Sequence, residues 1–267
     1  QLIFIASVPL AFYLGGWFVR SRLKLTQAGG VLIGIGAVLV AVDFAAIYQL
    51  GGLAGRVNGP LYWMMVAIFC TALYTFTAWR LRGEFFDYLT LIGGASVIFA
   101  FTSLAGLELE WSIVTIPASG AVMTIFAGRN FKKEGMRGDL ARAARYLPQI
   151  LIPASLIFLM FSPADPPIAQ AVGLFFATVA YSALAWYFPT LVFAFIALGA
   201  SIGTVVIGLR VADLTLEWYS TVAAILALAY LLLGQQVKRL KAESNVIQSY
   251  VKALNTTGLI LIAISIL

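Results

Sequence analysis

The sequence LELEW at residues 107–111 returns almost unchanged as LTLEW at residues 214–218. Each copy follows an apolar segment with the letters GAS, at 94–96 and 199–201, and precedes an apolar run that ends in a glycine and a basic loop. A weaker copy runs from GGVLIGIGA at 29–37 through PLYW at 60–63 to WRLR at 79–82. The same order of features repeated along one chain indicates a duplicated structural unit, and not a catalytic motif used twice.

The composition predicts an integral membrane protein. The chain has 267 residues, of which 62% are hydrophobic and 10% are charged, with a mean hydropathy of +0.98, whereas about a quarter of the residues in soluble domains are charged. Apolar runs of about 20 residues, the length that crosses a hydrocarbon core of about 30 Å, recur along the whole chain. We therefore predict an all-α transmembrane helix bundle of about ten spans, at 2–19, 29–49, 60–79, 87–105, 111–128, 147–162, 167–187, 190–209, 218–234 and 252–267.

The positions of lysine and arginine predict the orientation, because cytoplasmic loops retain basic residues. With the amino end outside, the inner loops and their edges hold all but two of the 17 basic residues, and the exceptions are Arg56 and Arg210.

We expect the bacterial cytoplasmic membrane as the location. The net charge of +6 is then a property of membrane loops and not of a nucleic-acid-binding surface. The expected partners are membrane lipids and other membrane-protein subunits or helices, with no nucleic acid.

The repeats predict one transmembrane domain over residues 1–267, built from helical hairpins at about 25–82, 83–145, 146–188 and 189–252. In each hairpin, a glycine-rich span leads to a short outer turn, a second span returns, and a basic loop follows inside. The last span, 252–267, ends within an apolar run, so we expect these residues to be part of a longer chain.

The repeated turns place a glutamate and a tryptophan at equivalent outer positions, as Glu110 with Trp111 and Glu217 with Trp218. Tryptophan rings prefer the headgroup level of a membrane, so we interpret these residues as interface turns. The alternative is that the two carboxylates receive a cation or a partner's basic residues.

Besides Gly51 with Gly55 between two predicted spans, two pairs of glycines within the spans have the small-xxx-small spacing that lets transmembrane helices approach closely. They are Gly30 with Gly34 and Gly199 with Gly203. We predict that all four lie at helix contacts.

The longest basic segment is GRNFKKEGMRGDLARAARY, at residues 128–146. Its apolar residues recur on one helical face, which predicts a helix in the inner headgroup layer that contacts anionic lipid. The predicted lipid contacts are Lys132, Lys133, Arg137, Arg142 and Arg145. A plain positive-inside loop is the alternative.

Asp43 is the one acid that lies well inside a predicted span. A charged side chain at the centre of a membrane helix costs about 2.5–3.5 kcal/mol on insertion scales, so such a residue is a candidate functional site. It would handle a proton or ion in a transporter. Alternatively, Asp43 makes a structural hydrogen bond or pairs with Arg56 across the turn.

The chain contains no histidine and one cysteine, Cys70. Histidine is the commonest metal ligand and the usual axial ligand of haem. The sequence also has no cysteine cluster, so we predict no metal site, no cofactor and no catalytic residue.

The alternation of LKL at 23–25, AGGVLIGIGAVLVAVDF at 28–44, AWRLR at 78–82 and YLTLIGGASVI at 88–98 resembles bacterial multi-hairpin polytopic membrane proteins of unknown function. The resemblance covers mainly residues 23–130 and implies a polytopic helical domain, with no site or activity. Three hypotheses remain open at this point. The function we predict is a non-enzymatic membrane scaffold or anchor in a larger complex. The alternatives are a small-molecule, lipid or ion transporter that uses Asp43 and an intramembrane enzyme that acts on lipid-linked substrates.

Overall fold

The structure, a computed structural model, describes residues 2–50, 53, 55, 57–164, 166–240 and 245–266. These residues form helices joined by short turns, with no strand among them, which confirms the predicted all-α fold. The helices are α1 (Leu2–Arg22), α2 (Thr26–Leu50), α3 (Gly59–Leu81), α4 (Glu84–Leu104), α5 (Leu109–Asn130), α6 (Met136–Tyr146), α7 (Pro148–Met160), α8 (Pro167–Tyr187), α9 (Leu191–Val211), α10 (Leu216–Leu240) and α11 (Asn245–Ile266).

Nine segments of the described chain are long and apolar enough to cross a membrane, which makes this an integral, multi-pass membrane protein. They are Thr26–Gln49, Gly59–Leu81, Glu84–Leu104, Leu109–Asn130, Met136–Met160, Pro167–Tyr187, Leu191–Val211, Glu217–Lys238 and Ile247–Ser265. The first predicted span, 2–19, is also a helix, α1, but it is not among the nine.

The sixth predicted span, 147–162, differs most from the structure. Its helix α7 begins at Pro148 and has 13 residues, so it is about 20 Å long, which is too short to cross the membrane alone. Proline is suited to the first helical position because the amide hydrogen that it lacks has no partner there. Helix α6 precedes it, and Leu147 between them also has helical backbone angles. The spanning segment is therefore Met136–Met160, which begins 11 residues before the predicted boundary.

Contacts between Cα atoms divide the chain into two compact units. One unit comprises Gln1–Glu108 with Glu134–Ala143, and there α1 packs along α2, α3 packs along α4, and α2 contacts α3. The other comprises Leu109–Lys133 with Ala144–Leu267, and there α8 packs along α9, α10 along α11, and α5 against both α8 and α7. Helices α9 and α10 are joined through the LTLEW sequence. Together with α11 they line a cavity of about 410 Å³. The predicted hairpin boundaries stay a prediction.

Glycines set the closest helix approach in the first unit. A Cβ atom on Gly16 would lie 2.7 Å from the backbone nitrogen of Ile33, and one on Gly36 would lie 2.6 Å from that of Tyr13. Such distances exclude any side chain, so α1 and α2 touch backbone to backbone at these points.

The four glycines predicted to lie at helix contacts have different surroundings. A Cβ on Gly34 would meet the Phe85 ring at 3.6 Å, and one on Gly203 would meet Leu174 at 3.1 Å. Gly30 and Gly199 would meet nothing within 4 Å. The packing observed at these last two positions therefore gives the small-xxx-small prediction no support.

Candidate functional site

The two repeated sequences begin with the same turn. Gly106 and Asp213 stand immediately before LELEW and LTLEW, and both have positive φ angles, of 78° and 51°. After Gly106, the Leu107 amide donates to the Thr102 carbonyl at 3.1 Å, and after Asp213 the corresponding bond joins Leu214 to Leu209 at 3.2 Å. This arrangement satisfies the last carbonyls of a helix, so both motifs follow a capped helix end, and α5 and α10 start within them.

The repeated Glu–Trp pairs lie in the first turns of α5 and α10. A carboxylate there interacts favourably with the positive end of the helix dipole. Glu110 also accepts a hydrogen bond from the Ser162 hydroxyl at 3.2 Å, whereas Glu217 is exposed. Both Trp111 and Trp218 are exposed. These surroundings are compatible with interface turns and differ between the two copies.

The five basic residues predicted to contact lipid fall into two groups. Lys132, Lys133, Arg137 and Arg142 are exposed, and Arg142 forms a salt bridge with Asp139 one turn earlier on α6. Their exposure is compatible with contact to lipid phosphate groups, which stays a prediction.

Arg145 differs from the other four basic residues, because its guanidinium group lies among aromatic rings. Its Cζ atom is 4.2 Å from the ring centroid of Phe188, 5.4 Å from that of Phe131 and 5.1 Å from that of Tyr146. Contacts of this kind stabilise a cation by about 0.5–2 kcal/mol. Arg145 is half-buried and attaches the end of α6 to its neighbours.

Asp43 lines a cavity of about 350 Å³ in the first unit. The walls come from α1, α2 and α3, and Asp43 is the only charged residue among the described residues that form them. Besides Asp43, the lining consists of Pro9, Leu10, Tyr13, Leu14, Val40, Phe44, Ile47, Phe69 and Leu73. The structure therefore places the predicted acid at an apolar space between helices.

The Asp43 carboxylate has an incomplete set of partners. Its Oδ2 atom is buried and has no hydrogen-bond partner within the described residues. The nearby Tyr13 hydroxyl is bonded to Thr77 Oγ1 at 2.8 Å. The predicted pairing with Arg56 falls outside the described residues. An oxygen left in this state favours a ligand that brings a positive charge or a proton.

Asp87 is an acid that the sequence analysis did not identify. It lies in the first turn of α4 and is 1% exposed, and its Oδ2 atom has no hydrogen-bond partner within the described residues. Asp139, Arg142 and Glu84 interact with it electrostatically. Asp87 was not selected from the sequence because it lies at the edge of the predicted span 87–105. The spacing of Glu84 and Asp87 nevertheless places both in the same helical turn.

No group of three histidine, cysteine, aspartate or glutamate side chains lies close enough to hold a metal ion in the described part of the chain. No protein-family model, curated protein or solved structure matches the chain. The resemblance to bacterial multi-hairpin membrane proteins thus stays a prediction.

Proposed function

We propose that this membrane protein is a transporter of small organic cations and that Asp43 binds the positive group of the substrate. The observation that carries the proposal is the buried, unpartnered Oδ2 atom of Asp43 at the wall of a cavity of about 350 Å³. A cavity that reaches this acid is the feature that favours transport over a scaffold.

The chemistry of the cavity supports an organic ammonium ion as the substrate class. A carboxylate in apolar surroundings is stabilised most by a ligand that carries a positive charge, because a buried charge is costly unless it is paired. Tyr13, Phe44 and Phe69 supply aromatic rings to the same walls, and aromatic rings attract ammonium groups. The volume is at the lower end of the range for small-molecule sites, about 300–1,000 Å³, which suits a compact amine with an apolar body.

The position of Asp43 along α2 supports access from one membrane face. It lies seven residues before the end of the helix at Leu50, which corresponds to about 10 Å of helix rise. Under the positive-inside orientation, which we propose for this chain together with a bacterial cytoplasmic membrane, that end of α2 faces outward. The scaffold function, a complex with other membrane subunits and the hairpin repeat stay predictions from the sequence.

Uptake by reconstituted vesicles tests the proposal. Purified protein is placed in liposomes, and entry of radiolabelled phenethylammonium down its own concentration gradient is followed at equal pH on both sides. We expect uptake above that of protein-free vesicles, loss of that uptake in Asp43→Asn, and partial retention in Asp43→Glu, which keeps the charge.

Asp139→Asn is the matched control, because it removes the same charge from α6 and Asp139 does not line the Asp43 cavity. It is expected to transport as the wild type does. Equal uptake by wild-type protein and Asp43→Asn, or no uptake beyond protein-free vesicles, would contradict the proposed function.

A further inference from the structure

A second and larger cavity, of about 810 Å³, lies between α2, α3 and α4 in the first unit. None of the described residues lines both this space and the Asp43 cavity. We propose that this space, which we call the α2–α4 cleft, binds one hydrocarbon chain of a membrane lipid. The proposal goes beyond the transport function and does not depend on it.

The length and depth of the cleft fit a lipid chain. Its lining runs from Pro60 to Tyr74 on α3 and from Ser103 back to Leu89 on α4, which is about 21 Å on each antiparallel helix. Pro60 is the second residue of α3 and Ser103 is near the end of α4, so the cleft starts at a membrane interface and extends inward. Half of a hydrocarbon core is about 15 Å, so the whole chain of a lipid in one leaflet fits within it.

The cleft opens sideways, toward lipid. Val42 on α2 and Ile92 on α4 line it and remain 54% and 40% exposed. Its floor on α3 is buried, with Val66 at 9% and Cys70 at 5% exposure. Helices α2 and α4 both pack on α3 and are not an extensively packed pair within the described residues. A chain can therefore enter from the bilayer between the two exposed edges.

The chemistry of the lining selects an apolar occupant. No charged residue is found among the described residues that line the cleft, and three of its hydroxyl groups donate to backbone carbonyls. The Tyr74 hydroxyl donates to Ala37 at 3.2 Å, and the hydroxyls of Ser96 and Ser103 donate to carbonyls of their own helix at 2.8 and 3.1 Å. Hydrocarbon requires no hydrogen bonds, so its binding to this surface leaves no polar group buried without a partner.

The interface end of the cleft is the place for the polar part of the lipid. Tyr48 and Trp63 both line that end, and their ring centroids are 5.3 Å apart. Tyrosine and tryptophan combine an apolar body with a polar tip and are favoured at the headgroup level. The lipid chain would then point from these rings toward Tyr74 and Leu89.

Photocrosslinking in liposomes tests this inference with a defined probe. The probe is a phosphatidylcholine that carries a diazirine at the end of one acyl chain, and the crosslinked peptides are mapped by mass spectrometry. We expect crosslinks concentrated on the deep cleft residues of α3 and α4, near Tyr74 and Leu89. Crosslinks spread evenly over exposed residues of all helices would show ordinary surrounding lipid only and would overturn the proposal.

A pair of variants on α4 gives the proposal a second readout. Ser96 is exposed and lines the cleft, so Ser96→Phe is expected to fill the opening and reduce cleft crosslinks at least severalfold. Gly94→Phe is the matched control, because a Cβ there meets nothing within 4 Å and Gly94 does not line the cleft. Both variants are first checked for wild-type helicity and elution in detergent. Equal crosslinking in the two folded variants would contradict the assignment.

Discussion

Replacing Gly36 with alanine tests the close contact between α1 and α2. The added Cβ would lie 2.6 Å from the Tyr13 nitrogen, 2.9 Å from the Tyr13 Cα atom and 3.0 Å from the Pro9 carbonyl oxygen. All three are backbone atoms, so no rotation of a side chain relieves the overlap. Ordinary contact begins at 3.4 Å, and the two helices would have to separate by roughly 0.8 Å at this point.

The expected loss follows from the cost of overpacking, which is typically about 1–3 kcal/mol. Gly30→Ala is the matched control, because Gly30 lies in the same helix and a Cβ there meets nothing within 4 Å. Both variants exchange a helical glycine for alanine, so the gain in helix propensity of about 1 kcal/mol cancels between them. We therefore expect Gly36→Ala to be less stable than Gly30→Ala by about 1–3 kcal/mol.

The assay is reversible unfolding in mixed micelles, followed by tryptophan fluorescence as the denaturing detergent is increased. The free energy of unfolding is compared between the two variants and the wild type. Equal stability of Gly36→Ala and Gly30→Ala would refute the backbone contact between α1 and α2, as would a more stable Gly36→Ala.

Three further predictions concern orientation, Arg145 and Asp43. In a cysteine-free background, cysteines at Glu110 and Lys132 should react with an impermeant maleimide from opposite sides of the membrane, and reaction from one side would contradict the orientation. Arg145→Ala should lower the free energy of unfolding by about 0.5–2 kcal/mol because three ring contacts are lost, whereas Arg137→Ala, at an exposed position of the same helix, should change it by less than about 0.5 kcal/mol. Equal losses would show that the ring contacts do not contribute. Asp43→Asn should leave the unfolding midpoint nearly unchanged, since its Oδ2 atom has no hydrogen bond to any described residue, and a large destabilisation would indicate a structural role.

The fold was predictable because membrane helices are specified by local composition. Each predicted span coincides with a helix, since an apolar run of about 20 residues has no other way to satisfy its backbone in lipid. Helix α6 was missed as part of a span because its charged residues keep the hydropathy of 136–146 low. The turns at LELEW and LTLEW were also predictable, although the positive φ of Asp213 is not evident from an aspartate alone.

The candidate sites were predictable only in part, because they depend on the spaces between helices. The sequence identified Asp43 from its position in α2, but the cavity beside it arises from residues of α1 and α3 that no local pattern connects. Similarly, small-xxx-small spacing selected Gly30, whereas the close contact is at Gly36. Spacing specifies which residues share a helix face, and the rotation of that helix against its neighbour decides which of them touch.

Equilibrium binding of phenethylammonium to the purified protein tests the central claim about Asp43 most directly. Saturable binding by the wild type, with affinity at least about tenfold weaker in Asp43→Asn, is the predicted result and corresponds to about 1.4 kcal/mol. Binding of equal affinity in the two proteins, at unchanged fold, would contradict the account, as would the absence of saturable binding in the wild type.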